Sequence, residues 1–138
     1  EATYVRSYEY QRDKGDPYVQ NVGKYVDASP VLRWQHTLNA SWKMGAFGAT
    51  FAVNNKSGYE DQNAVEPEYF NRVKSYTTAD ASFTWNPVKY AKITLGVKNL
   101  FDTKPPFTNQ GTTFQQGYDP RLTDPYGRTL TARLNVSF

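Results

Sequence analysis

Strict alternation of apolar and polar residues is the feature of this 138-residue chain that most constrains its fold. The clearest stretch is 31–44, whose apolar face carries Leu32, Trp34, His36, Leu38, Ala40, Trp42 and Met44. The residues between them are Arg33, Gln35, Thr37, Asn39, Ser41 and Lys43. Successive side chains of a β-strand point to opposite faces, whereas a helix repeats every 3.6 residues. The stretch therefore predicts a strand with one apolar face and one polar face.

The same alternation recurs along the chain and predicts about six strands. They cover approximately residues 2–11, 31–44, 47–54, 78–85, 92–98 and 128–138. The last run alternates back from Phe138 through Val136, Leu134, Ala132 and Leu130. Helical periodicity is hard to find, so the chain is expected to be all-β.

The predicted connections fall into two length classes. Short turns are expected around 44–46 and 86–90, and long loops over about 12–30, 61–74 and 103–127. The long loops carry most of the Gly, Pro, Asp and Asn residues. Antiparallel up-and-down strands with short turns at one end and long loops at the other are typical of outer-membrane β-barrels.

Composition is compatible with such a barrel. Mean hydropathy is −0.74, and no stretch approaches the length of a membrane helix, but barrel strands alternate and look hydrophilic on average. Sixteen basic and thirteen acidic residues are mixed along the chain, which argues against a nucleic-acid partner. The absence of cysteine excludes disulfides and thiolate metal sites.

Strand length and aromatic spacing fit a bilayer. Eleven residues tilted by roughly 40° rise about 28 Å, against an apolar band of about 25 Å. Trp34 and Trp42 share a face and are expected to differ in height by roughly 20 Å, as two interfacial girdles would. The predicted girdle residues are Trp34, Trp42, Phe47, Trp85 and Phe138.

Periodicity alone leaves a soluble β-sandwich or lipocalin-like barrel open. In those folds the apolar face points inward, and Trp34 and Trp42 would belong to a core. The asymmetry of the loops and the aromatic residue at Phe138 favour the membrane interpretation.

The last third of the chain resembles the C-terminal end of TonB-dependent outer-membrane receptors. The resemblance lies in ITLGVKNLFDTKPPF (93–107), GYDPRLTDPYGRTL (117–130) and RLNVSF (133–138). It is strong over about 75–138 and rests on pattern alone upstream. It implies a transmembrane barrel of 22 strands with an N-terminal plug, in the outer membrane of a Gram-negative bacterium. It also implies that Phe138 is an assembly signal at the periplasmic rim, read by the barrel-assembly machinery, so that the long loops are extracellular.

Six strands are too few to close a barrel, because the small natural barrels start at eight. Open edges in lipid would leave backbone groups unpaired. We therefore expect residues 1–138 to be the C-terminal portion of a larger barrel, whether a fragment, a split subunit or part of a longer chain. The plug is absent from this sequence. The expected partners are the remaining strands and the plug on the same or another chain, the TonB complex acting through that plug, outer-membrane lipid and lipopolysaccharide.

The resemblance implies energised uptake of a scarce solute, such as a ferric siderophore, cobalamin or a glycan. A passive porin-like or structural outer-membrane barrel is the alternative. No metal-ligand spacing, phosphate loop or nucleophile motif occurs, so we expect no enzyme activity, no metal and no cofactor. The lone histidine, His36, is expected to bond to a neighbour or to lie at an interface.

Two groups of residues are candidate sites. By parity, Asp80, Lys92, Lys98 and Arg133 point into the lumen, where charges need partners. Asn99 interrupts the outward apolar face of its strand, which predicts either the end of the hydrocarbon band or a bulge. The last loop offers aromatic and amide groups for ligand binding: Phe107, Asn109, Gln110, Phe114, Gln115, Tyr118 and Arg121.

Two further readings apply to the loops. Asp119-Pro120 and Asp124-Pro125 are also turn formers that fold the last loop on itself. Basic residues near the outer rim are either solvated or in contact with lipopolysaccharide phosphates: Lys24, Arg72, Lys74 and Arg128.

Overall fold

The computed structural model describes residues 1–27 and 29–137, and these are almost entirely strand and loop. In chain order the strands are β1 (Ala2–Tyr4), β2 (Glu9–Tyr10), β3 (Val19–Gln20), β4 (Tyr25–Val26), β5 (Ser29–Pro30), β6 (Trp34–Met44), β7 (Phe47–Lys56), β8 (Tyr59–Glu60), β9 (Arg72–Val73), β10 (Tyr76–Val88), β11 (Ala91–Lys98) and β12 (Thr129–Val136). One 3₁₀ turn spans Pro67–Tyr69. No helix within the described residues is both long and apolar enough to cross a membrane.

Six of the strands form one sheet in the order β1-β6-β7-β10-β11-β12. Neighbours in the sheet follow one another along the chain, so the topology is up-and-down. The first predicted strand, 2–11, is wrong in extent: only Ala2–Tyr4 joins this sheet, and Glu9–Tyr10 pairs in a separate two-stranded sheet. Three small two-stranded sheets, β2-β3, β4-β5 and β8-β9, lie within the long connections. The predicted all-β, antiparallel architecture with about six main strands is confirmed.

The register of the last three strands sets which residues share a face. Phe83 pairs with Leu95, which pairs with Ala132. Thr84 pairs with Thr94, which in turn pairs with Arg133. Directly opposed residues point to the same side of a sheet. The predicted separation of apolar and polar faces is therefore confirmed across β10, β11 and β12.

The predicted turn at 86–90 is shorter than expected. Strand β10 continues to Val88, and only two residues, Lys89 and Tyr90, separate it from β11. The register shifts between Trp85 and Val88, as at a β-bulge. Pro87 falls inside this irregularity because it has no N–H to give to the ladder.

The turn between β6 and β7 also has two residues, Gly45 and Ala46. Gly45 has φ 55°, a left-handed conformation that glycine adopts without steric cost. The tight turn lets two long strands pair along their length, as the sequence predicts.

The chain divides into two compact units. We call the first the loop unit, which comprises Glu1–His36, Asn55–Tyr76 and Pro105–Pro125. We call the second the strand unit, which comprises Thr37–Asn54, Thr77–Lys104 and the residues from Tyr126 onward. The buried apolar cluster of the described residues lies in the loop unit, where Leu122 packs against it; its members are Tyr25, Leu32, Tyr59 and Val73.

Candidate functional site

The strand unit carries its large apolar side chains on the surface. Trp42 is 51% exposed, Phe51 41%, Leu95 53% and Leu134 65%. In a soluble β-sandwich these residues would pack against one another in a dry interior. Here they do not. An exposed apolar face that carries several large side chains marks a surface that another apolar phase covers.

Aromatic rings gather near the short-turn end of the strand unit. The rings of Phe47 and Trp85 stack at a centroid distance of 6.5 Å with an interplanar angle of 12°. The Phe47 and Phe83 rings lie 5.9 Å apart. Three of the predicted girdle residues, Trp42, Phe47 and Trp85, are thus exposed beside the turns. Phe138, the fifth girdle residue and predicted assembly signal, lies outside the described residues.

The remaining predicted girdle residue, Trp34, lies in the loop unit and is 39% exposed. Its indole Nε1–H donates to Nδ1 of His36 at 2.6 Å. The lone histidine is therefore bonded to a neighbour, as expected. Within the described part of the chain, no three His, Cys, Asp or Glu residues are placed to hold a metal ion.

The polar face of the strand unit contains a chain of hydrogen bonds that ends at Asp80. Thr37 Oγ1 donates to Asn54 Oδ1 at 2.9 Å, and Asn54 Nδ2 donates to Asp80 Oδ2 at 3.4 Å. The backbone N–H of Asn99 donates to Asp80 Oδ1 at 2.8 Å. Asp80 is thus held by amide and backbone donors.

The other predicted lumen residues are not joined to Asp80. Lys92, Lys98 and Arg133 are exposed, and Arg133 faces Thr94 across the ladder. No ion pair links any of them to Asp80 among the described residues. Whether they join a wider network in an assembled barrel stays a prediction.

Asn99 opens the turn that follows β11. It is buried at 6% exposure, has φ 49°, and exchanges two hydrogen bonds of 2.9 Å with Thr103. Asp102, at φ 54°, accepts from the backbone N–H of Arg128 at 2.9 Å and from Lys104 Nζ at 2.9 Å. The NLFD segment is therefore a compact turn, and the interruption at Asn99 marks the end of the strand.

In the loop unit, one buried carboxyl group gathers three segments. Asp61 is 3% exposed, and its two oxygens accept four hydrogen bonds. The donors are the backbone N–H of Gln62 (2.8 Å), Asn71 Nδ2 (3.0 Å), Thr108 Oγ1 (2.6 Å) and the backbone N–H of Asn109 (2.7 Å). The carboxyl group ties the last loop to the loop that precedes β10.

Gln110 performs a similar role inside the last loop. Its Nε2 donates to Thr113 Oγ1 (2.7 Å), Gln115 O (2.6 Å) and Tyr118 O (3.1 Å). Its Oε1 accepts from the backbone N–H groups of Thr112 and Thr113, both at 3.0 Å. With the side chain 3% exposed and both ends occupied, Gln110 organises the loop.

Arg121 and Asp119 form a second link, in which the Asp119 side chain is buried and the Arg121 side chain is partly exposed. Arg121 Nε donates to Asp119 Oδ1 at 2.9 Å, and its Nη2 donates to Asp119 Oδ2 at 2.7 Å. The same Nη2 reaches the hydroxyl of Tyr25 at 2.9 Å, and the guanidinium lies 5.8 Å from the Tyr25 ring centre. This arrangement joins the last loop to the apolar cluster.

Burial acts to raise the pKa of Asp119, but the hydrogen bonds from the Arg121 side chain and backbone outweigh it. The pKa of Asp119 therefore lies below its ordinary value. The hydrogen bond to Asp119 raises the pKa of Arg121 in turn. Burial also raises the pKa of Tyr59, which belongs to the same cluster.

The structure thus divides the predicted ligand-binding residues of the last loop. Asn109, Gln110 and Arg121 use polar groups within the loop unit, where Asn109 Nδ2 also donates to Tyr69 O at 3.0 Å. Tyr118 donates its hydroxyl to Gln115 Oε1 at 3.1 Å. The most exposed of these residues are the aromatic Phe107 (59%) and Phe114 (91%), and the Arg121 side chain also reaches the surface at 39% exposure.

Sequence reasoning missed the central position of Asp61 and Thr108. They lie 47 residues apart, and their contact follows no local period. The sequence carries one weak signal, which is the presence of an Asp residue in a long polar loop. The side chain of such an Asp often accepts a hydrogen bond from a nearby backbone N–H and so forms a turn. Asp61 does bond to the next backbone N–H, but its long-range partners leave no trace in the pattern.

An up-and-down antiparallel sheet with one exposed apolar face defines the wall of a β-barrel as the structural class. The family described as "TonB dependent receptor-like, beta-barrel" matches residues 2–100, which is most of the chain. The chain belongs to this family. Neither the curated proteins nor the solved structures contain a significant match.

Proposed function

We propose that this chain forms the C-terminal part of the barrel wall and several extracellular loops of a TonB-dependent outer-membrane receptor. The receptor would take up a scarce solute such as a ferric siderophore, cobalamin or a glycan. The observation that carries the proposal is the exposed apolar face whose members are in register across β10, β11 and β12. Burying each large apolar side chain is worth about 1.5–3 kcal/mol, so this face strongly favours a lipid surrounding over water.

The direction of the strands gives the proposal its orientation. The two-residue turns at Gly45–Ala46 and Lys89–Tyr90 would lie at the periplasmic side. The long connections would lie outside the cell, as in other outer-membrane barrels. The exposed rings of Phe107 and Phe114 are then available to an incoming solute, held on a loop that Asp61 and Gln110 organise.

The proposed partners follow from the same placement. Remaining strands and a plug, on the same or another chain, would complete the barrel, and the inner-membrane TonB complex would act on the plug. Outer-membrane lipid would cover the apolar face. Phe138 would be read by the barrel-assembly machinery of a Gram-negative cell.

A passive porin-like barrel would use the same wall without energy coupling. A plug sequence upstream in the gene would favour the energised receptor, and its absence would favour the porin. A soluble β-sandwich is opposed by the exposure of Trp42, Phe51, Leu95 and Leu134.

A pair of neighbouring substitutions tests the proposal. Leu95 lies on the apolar face and Thr94 on the polar face of the same strand. Arginine facing lipid at the midplane of a barrel costs roughly 2–4 kcal/mol, whereas arginine facing a lumen is tolerated. In the intact protein, Leu95→Arg should therefore lower the amount of heat-modifiable barrel in outer membranes far more than Thr94→Arg. Equal losses would overturn the assigned faces.

A further inference from the structure

A cavity of about 700 Å³, lined by both polar and apolar groups, opens on the loop unit and is separate from the last loop. The side chains that give it its character are Tyr4, Lys24, Arg33, Trp34, Glu60 and Arg72. Three of these are basic and one is acidic. The described residues that line it include none from the last loop, which carries the predicted solute contacts.

The alternation of short strands explains why basic groups converge here. Tyr25, Tyr59 and Val73 point into the buried apolar cluster. Their chain neighbours Lys24, Glu60 and Arg72 must therefore lie on the opposite side. Glu60 pairs with Arg72 across the β8-β9 ladder, and an isolated bridge pairs Lys24 with Glu60. Three charged side chains thus lie side by side on the surface away from the core.

The charges in the cavity do not cancel. Lys24 Nζ lies 3.6 Å from Glu60 Oε2, a loose and half-exposed ion pair. Among the described residues, no hydrogen bond or ion pair occupies the guanidinium groups of Arg33 or Arg72. Paired N–H groups of arginine match the oxygen atoms of phosphate, and an exposed cluster of this kind is a candidate anion site.

Aromatic rings form the other part of the cavity. Tyr4 is 58% exposed and Trp34 39%, and their ring centres lie 6.0 Å apart. Exposed Tyr and Trp side chains are characteristic of the membrane–water interface, at the level of lipid headgroups. A free inorganic anion makes no favourable contact with these rings, whereas an amphipathic lipid contacts both the rings and the cations.

We propose that this cavity binds the phosphate group of a membrane lipid headgroup, with Arg33 and Arg72 as its principal ligands and Lys24 supporting them. The inference rests on the proposed placement of the chain in an outer membrane. It selects one site from the basic residues of the rim and adds Arg33, which the sequence analysis placed on the polar face of the stretch 31–44.

The test uses the intact protein in detergent, titrated with bisphosphorylated lipid A and followed by native mass spectrometry. The site variant combines Lys24→Gln, Arg33→Gln and Arg72→Gln. The control variant removes the same charge elsewhere on the surface through Arg6→Gln, Lys14→Gln and Lys89→Gln. We expect the site variant to retain lipid A at least about tenfold more weakly than the native protein, and the control to change it less than about twofold. We also expect Glu60→Gln to bind more tightly than the native protein, a gain that misfolding cannot produce.

Three outcomes would overturn the inference. Equal losses in the site and control variants would mean that only net charge matters. Equal binding of dephosphorylated lipid A would remove the phosphate from the interaction. Displacement of lipid A by millimolar inorganic phosphate would identify a site for soluble anions. Insertion of the barrel is measured separately with the Leu95 and Thr94 variants, so failure here leaves the proposed function standing.

Discussion

The loop unit buries apolar side chains in a cluster, whereas the strand unit leaves its large apolar side chains exposed. The loop unit encloses an apolar cluster around Tyr25 and Tyr59, and it also buries polar groups that are fully bonded, such as Asp61 and Gln110. The strand unit leaves Leu95 and Leu134 more than half exposed. A single chain is thus built for two surroundings, because only the loop unit satisfies the ordinary rules for a protein folded in water.

The two units obtain their stability from different interactions. The loop unit lacks long ladders, so hydrogen bonds between distant segments hold it together. The strand unit has continuous ladders, and its apolar face gains stability only from an apolar phase outside it. Substitutions in the loop unit should therefore change its hydrogen exchange, whereas substitutions on the apolar face of the strand unit should change membrane insertion.

The largest effect is expected for Asp61→Asn in the loop unit. The amide nitrogen would face a donor, and the buried hydroxyl of Thr108 or the part-buried N–H groups of Asn71 and Asn109 would lose an acceptor. Unsatisfied buried donors cost about 1–3 kcal/mol each. We therefore expect the free energy of opening of the loop unit to fall by about 3 kcal/mol, which corresponds to a roughly hundredfold loss of hydrogen-exchange protection at Asn109.

Asp13→Asn serves as the control, because Asp13 is exposed and contributes a backbone carbonyl alone to the hydrogen bonds of the described residues. Membrane insertion should be the same for both variants. Unchanged protection at Asn109 in Asp61→Asn would remove the proposed basis of the loop unit's stability.

A smaller effect is expected for Gly127→Ala in the strand unit. Gly127 has φ 70°, and an added Cβ would lie 2.5 Å from Asp102 Oδ1. Strain at such a position and the displaced carboxyl group should lower the free energy of unfolding by about 2 kcal/mol. The measurement is urea unfolding of the intact protein in detergent. Gly111→Ala is the matched control, because a Cβ there meets nothing within 4 Å, and a comparable loss in both variants would contradict the prediction.

The smallest effect is the pH dependence that Asp119 gives to the loop unit. Its pKa is lowered in the folded state, so its contribution to stability is present above the unfolded value of about 3.9 and is lost as pH falls through the lower folded value. Between pH 5 and pH 3 the last loop of the native protein should become more sensitive to proteolysis. Asp119→Asn should show a smaller change over the same range, and an identical change would assign the sensitivity to other carboxyl groups.

The contrast between the units also explains which features of the fold could be predicted from the sequence. Alternation predicted the faces of Leu95 and Thr94 because a strand repeats every two residues, whatever surrounds it. The end of β10 was misplaced because Pro87, a usual turn former, here occupies a bulge. The buried network of the last loop could not be predicted, since Arg121 meets Tyr25 across 96 residues of sequence. Only the Asp-Pro pairs indicated that this loop folds on itself.

We propose that lipid covers the apolar face of the strand unit, and spin labels test this directly. The chain has no cysteine, so single cysteines at position 95 or 94 allow a spin label to be placed on either face of β11. The measurement is the accessibility of each label to dissolved oxygen, which concentrates in lipid, and to a water-soluble nickel complex. With the intact protein in bilayers, we expect the label at 95 to be more accessible to oxygen and the label at 94 to be more accessible to the nickel complex. A nickel-accessible label at 95, or equal accessibility at both positions, would contradict it.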